Sequence, residues 1–218
     1  MSKEHPNQNK EFEFQGLHHL ALVANDMEEN VDFYQNKLGM PMVKSIDLLC
    51  GAGQHFFFDT GNGDTLAFFS LTDGPPTAPG IASQDKGLTS AVASMNHVAI
   101  QVPADKIEEY VEHLRAEGIP CSDVVSHDMS EFQASPEIHD HCWARSPYFT
   151  DPNGIALEFC YWPKEFTQED RGVKGTKASD RARYAEIMKN SPEFGGGDIP
   201  QTLQRCPNGS SNMPERSQ

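Results

Sequence analysis

Positive charge is scarce in this sequence. Lys and Arg total 17 against 32 Asp and Glu, a formal net charge of -15. Such a chain is repelled by a phosphate backbone and by an anionic bilayer surface, so neither nucleic acid nor membrane is an expected partner. Paired cysteine spacing is also missing. The five cysteines (Cys50, Cys121, Cys142, Cys160, Cys206) are an odd number with no Cys-x-x-Cys pair, which argues against a disulfide framework. No apolar run resembles a signal peptide or is long enough to span a bilayer. The expected compartment is a reducing cytoplasm. With cations this few, an anionic substrate would need a metal or one well-placed Arg.

What is present is a repeat. The 218 residues suffice for a sizeable core. Residues 1–15 are polar and read as a flexible arm. From residue 17 a strand (LHHLALVAND) leads into a helix opened by the acidic residues Asp26, Glu28 and Glu29. That helix places Val31, Tyr34 and Leu38 at helical spacing and stops at Gly39 and Pro41. Three strands follow: Met42 to Leu49, GQHFFFDTG, and TLAFFSL after the turn at Gly61-Asn-Gly-Asp.

After a Pro/Gly-rich bridge the order begins again. Residues 96–102 read as a strand, 104–116 as a helix, and Gly118 with Pro120 repeats the stop at Gly39 with Pro41. His19 lies 20 residues before Gly39, and His97 lies 21 before Gly118. Asn62-Gly-Asp-Thr-Leu-Ala-Phe aligns with Asn153-Gly-Ile-Ala-Leu-Glu-Phe. The fold class expected is therefore α+β: two tandem βαβββ modules, 16–75 and 95–163, forming one curved, partly open mixed β-sheet cup with helices outside. The second module carries about a dozen extra residues within 122–147, among them His127, His139 and His141. Residues 164–218 form a polar extension with one short helix expected over 179–190.

Alternation along the strands separates their faces. Leu20 and Leu22 share one face of the first strand, leaving His19, Ala21 and Val23 on the other. In its counterpart Val98, Ile100 and Val102 leave His97, Ala99 and Gln101. In the last strand Leu157 and Phe159 leave Ala156 and Glu158. Each strand thus has one bulky apolar face and one face of small residues with a single polar group. Two imidazoles and one carboxylate form the ligand set that holds Fe(II), Mn(II) or similar ions with coordination positions left open. His19, His97 and Glu158 are the expected metal ligands. An ionised Glu flanked by Leu157 and Phe159 requires a cation or a proton. Ala67 is the first module's counterpart of Glu158, so that module supplies one ligand only.

These residues resemble the vicinal oxygen chelate superfamily, which includes glyoxalase I, extradiol dioxygenases and fosfomycin-resistance proteins. The resemblance spans residues 16–163. Tyr148-Phe-Thr-Asp-Pro-Asn-Gly-Ile-Ala-Leu-Glu158 is similar to the extradiol signature, in which a Tyr stands ten residues before the ligating Glu and a His somewhat earlier. It implies Tyr148, with His139 or His141, as the groups that hydrogen-bond the substrate oxygen, and Fe(II) as the favoured metal, with Mn, Zn or Ni as alternatives. Two departures stand out: Pro147 replaces an aliphatic residue, and Asp64 occupies the position of a general acid/base His. His55 on the preceding strand is the candidate substitute. Arg145 is either a partner for a substrate carboxylate or a surface residue, and His127 is read as a loop residue.

The leading function is an Fe(II) ring-cleaving dioxygenase acting on a catechol-type or other vicinal-dioxygen small molecule. The alternatives are a non-redox metal-dependent lyase, isomerase or resistance transferase, and a protein that sequesters a small molecule without chemistry. A homodimer paired through sheet edges is the expected assembly.

Overall fold

The computed structural model describes residues 12, 14–75, 95–130, 133–173, 175 and 177. The expected arm lies almost wholly outside these residues, and the expected helix over 179–190 lies entirely outside them. The chain divides into two compact units, Met1–Ala78 with Asp151–Gly154, and Pro79–Thr150 with Ile155–Gln218. Among the described residues no helix is long and apolar enough to cross a membrane.

The first unit realises the expected βαβββ order. Strand β1 (His19–Val23) leads into helix α1 (Met27–Val31), whose N-cap Asp26 accepts a hydrogen bond from the Glu29 backbone N–H. This satisfies one of the donors that a helix start leaves open. The helix continues over Asp32–Lys37 as a π-helix, with Leu38 N–H donating to the Phe33 carbonyl at 3.0 Å. The wider turn alters the buried face. Sequence spacing predicts Val31, Tyr34 and Leu38, whereas the buried residues are Met27, Asn30, Phe33 and Tyr34. One extra residue per turn rotates two neighbours, Phe33 and Tyr34, inward together.

Strands β2 (Met42–Asp47), β3 (Gly53–Gly61) and β4 (Asp64–Leu71) complete a sheet of order β1-β4-β3-β2. The β1–β4 pairing is parallel and the others are antiparallel. Tyr34 packs on Phe58 and Phe68 with ring centroids 5.7 and 4.6 Å apart. All three are fully buried, each contributing about 1.5–3 kcal/mol by leaving water.

The second unit repeats this plan with additions. Strand β5 (Val98–Gln101) is followed by a 3-10 turn over Ala104–Lys106 and helix α2 (Ile107–Ala116). Ile107, Val111 and Leu114 are its buried stripe, at the spacing of one helical face. Both helices stop at a glycine in the left-handed region, Gly39 at φ 71° and Gly118 at φ 72°. That conformation is cheap only without a Cβ. The repeat is thus matched at the level of backbone angles.

Then come β6 (Val125–His127), β7 (Ala134–Ser135), β8 (Ala144–Ser146), β9 (Tyr148–Thr150) and β10 (Ala156–Cys160). They form two three-stranded sheets, β5-β10-β9 and β7-β6-β8. Buried Pro147, which lacks the N–H a continuous ladder needs, separates β8 from β9. The added residues form β7 and the turns around it.

Candidate functional site

In the second unit the alternation read from sequence sorts the sheet into two environments. Phe149 and Phe159 meet at 4.8 Å, and Tyr110 of α2 reaches Phe159 at 5.9 Å, so this face carries the apolar packing. The opposite face lines a cavity of about 410 Å³, whose walls include His97, His127, Tyr148, Glu158 and the indoles of Trp143 and Trp162.

Glu158 is the charged centre of that cavity. It is 5% exposed, and its Oε2 lies 3.0 Å from His97 Nε2. Burial alone pushes its carboxyl up. Hydrogen bonds from His97, Ser146 and Tyr148, with the charge on His97, outweigh burial and hold it below the usual carboxylate range. Reciprocally, the hydrogen bond to Glu158 raises the His97 imidazole against its own burial. Asn96 Oδ1 contacts His97 Nδ1 at 2.6 Å and orients the ring from its other side. Cys160 is no nucleophile here: burial, then the charge of Glu158, pushes its thiol up to about 12.

A second polar group faces the same space. The Tyr148 hydroxyl lies 3.0 Å from His127 Nε2, and the Ser146 hydroxyl lies 3.1 Å from the same nitrogen. Burial lowers His127, against the charges of Glu158 and Asp128, and burial raises Tyr148. The cavity thus holds a neutral imidazole beside a protonated phenol. Each hydroxyl has one proton to donate, so two hydroxyls serve two acceptors, His127 Nε2 and the Glu158 carboxylate. The four groups form a connected path along which a proton can be held or passed.

Several site residues sit differently from the expectations. His127 belongs to β6, paired with Ala144 of β8, rather than to a loop, and it is the imidazole that meets Tyr148. Its short strand lies at the start of the insert, where the sequence shows no clear periodicity to mark it. His139 instead contacts the buried Asp128 at 2.9 Å. His141 lies in an exposed turn, and neither of the two lines the cavity. Arg145 also lies outside the lining, its guanidinium 3.0 Å from Glu108 of α2. Alternation back from Tyr148 carried this signal, because Ala144, Ser146 and Tyr148 share a parity that excludes Arg145.

In the first unit, His19 is exposed on β1 opposite Thr65, and Ala21 stands opposite Ala67. In the second, Ala99 stands opposite Glu158. Two residues beyond each histidine, therefore, the parallel partner is Ala67 in one unit and Glu158 in the other. His19 Nδ1 lies 2.8 Å from His18 Nδ1, and its ring meets Phe57 edge-on at 5.8 Å. His55 stacks on Phe69 with centroids 3.6 Å apart. Its buried Nε2 has no hydrogen-bond partner among the described residues. Burial, then the charge of His19, lowers its pKa. Asp64 is half-buried at the start of β4. Among the described residues no group of three or more His, Cys, Asp or Glu is gathered closely enough to hold a metal ion.

Comparison with known proteins places this geometry in context. The model of the Glyoxalase/Bleomycin resistance protein/Dioxygenase superfamily matches residues 16–159. A Bacillus subtilis (strain 168) protein named "Putative ring-cleaving dioxygenase MhqE" is 30% identical over 109 residues, covering 48% of this chain and 32% of that protein. The matched region thus spans about a third of the length of that curated relative. The crystal structure of SMU.1112c matches with a TM-score of 0.50 at 22% identity, over 68% of this chain and 100% of that one. A glyoxalase family protein from Enterococcus faecalis matches with a TM-score of 0.49 at 21% identity, over 68% and 98%.

Proposed function

The chain belongs to the glyoxalase/bleomycin resistance protein/dioxygenase superfamily, and on that premise we propose that it is a metal-dependent enzyme, an Fe(II) ring-cleaving dioxygenase acting on a catechol-type small molecule. The observation that carries this reading is the pairing, in one cavity, of a buried, ionised Glu158 bound by His97 with a hydrogen-bonded Tyr148 and His127. The 30% identity to a protein named as a ring-cleaving dioxygenase supports it.

The donor chemistry fits a divalent ion. His97 Nε2 and Glu158 Oε2, an imidazole nitrogen and a carboxylate oxygen, face one another at 3.0 Å in the cavity and are the donor types that take a divalent ion. His97 and Glu158 would hold the ion, and His19 stands at the equivalent register of the repeat in the first unit. Fe(II), once bound, supplies a Lewis-acidic, redox-active centre for the two substrate oxygens and for O2.

The chain's own groups do the rest. Tyr148 donates a hydrogen bond to an oxygen of the diol and fixes its orientation. His127, neutral and linked to Tyr148, accepts the proton that the diol loses and returns it to the product.

The test is anaerobic purification, reconstitution with Fe(II), and addition of oxygen with a panel of catechols. Oxygen uptake with a coloured ring-fission product is expected. Turnover that proceeds equally with Zn, Ni or Mn and without oxygen would overturn the dioxygenase reading in favour of non-redox chemistry.

A further inference from the structure

The sequence holds 2 tryptophans, Trp143 and Trp162, and both line the cavity that contains Glu158. They come from different places in the chain. Trp143 directly precedes β8, and its indole N–H donates to the Asp128 carbonyl at 3.2 Å while its ring lies against His127 at 5.4 Å. Trp162 follows β10 and stacks on Trp143 with centroids 6.1 Å apart and ring planes 28° from parallel. Phe166 meets Trp162 edge-on at 4.9 Å. Yet Trp162 remains 51% exposed. A large flat ring is thus fixed from two sides and left facing water, where a second flat ring would bury apolar area on it.

We propose that Trp143 and Trp162 form the wall on which the aromatic ring of the diol stacks. The inference rests on the ring-cleavage reading for the diol and adds the residues that receive its ring.

Because both indoles belong to the wall, tryptophan emission of the full chain reports on this cavity without labels. The protein is loaded with Zn(II), which does not activate oxygen, and titrated with methylcatechol, exciting at the red edge of tryptophan absorption. We expect a saturable change in emission. Trp162→Ala weakens methylcatechol at least about tenfold, read through the remaining Trp143, while Trp162→Phe restores most of the affinity. Unchanged affinity in Trp162→Ala overturns the proposal. The two readings fail separately: saturable, wall-dependent binding without ring fission in the Fe(II) protein supports the wall and sinks the dioxygenase reading. Ring fission with an unchanged KM in Trp162→Ala sinks the wall alone.

Discussion

The hydroxyl of Tyr148 and Nε2 of His127 lie 3.0 Å apart across 21 residues of sequence. Strand β9 and strand β6 deliver these groups from opposite sides of the insert, and Ser146 of β8 joins them through the same imidazole nitrogen. The proton path of the site is therefore assembled from separate strands of the second unit, β6, β8 and β9.

That arrangement makes the two groups separable by kinetics. Tyr148→Phe and His127→Ala should each lower kcat by about 10²–10⁴ with a smaller change in KM, since both act on a proton rather than on ring binding. Steady-state oxygen uptake with the Fe(II) protein measures this. A Tyr148→Phe enzyme with unaltered kcat would remove Tyr148 from the chemistry.

His97 should govern metal content. Truncation to Ala takes one donor from the ion and one partner from a carboxylate that is 5% exposed. Elemental analysis of His97→Ala should show less than half the metal per chain of the unaltered protein, and denaturant unfolding should show a loss of about 1–3 kcal/mol. His139→Ala serves as the comparison. His139 contacts Asp128 rather than the cavity, so its metal content should not change.

Tyr34 anchors a turn far away in sequence. Its fully buried hydroxyl donates to Asp151 Oδ2 at 3.1 Å, within the unit that joins residues 1–78 to 151–154. Tyr34→Phe keeps the rings packed on Phe58 and Phe68 and removes only that donor. A destabilisation of about 1–3 kcal/mol is expected from chemical denaturation, with the slope against denaturant unchanged.

Asp128 predicts a pH dependence. Its side chain is buried, which pushes the carboxyl up. Hydrogen bonds from Ser130 and His139 outweigh this and hold it below its ordinary value of 3.8. A depressed carboxylate contributes stability that is complete above the unfolded-state pKa and is lost as pH falls through the folded-state pKa. The stability gap between the unaltered protein and Asp128→Asn should therefore be constant above about pH 5 and close at lower pH. A gap that widened in acid would contradict this assignment.

Much of the fold was legible in the chain. Period-two alternation marks β1, β5 and β10, and the glycine stops at Gly39 and Gly118 locate both helix ends, because each signal is local to a few residues. The equivalence of Ala67 and Glu158 was readable for the same reason, since strands of fixed register keep their parity. Arg145 was readable too, from the shared parity of Ala144, Ser146 and Tyr148.

Other features depend on contacts between segments distant in sequence. The π-turn after Val31 buries Phe33 and Tyr34 together, with Tyr34 against Phe58 and Phe68, which helical periodicity does not encode. The insert offers three histidines without periodicity. Which of them meets Tyr148 is decided by the β6–β8 register that sets His127 opposite Ala144. By itself the sequence determined the repeat, the apolar faces and the candidate donors, since these follow from side-chain chemistry and backbone period. The tertiary structure alone decided which imidazole shares a hydrogen bond with Tyr148 and that both indoles wall one cavity, since those are pairings in space between strands that the chain keeps apart.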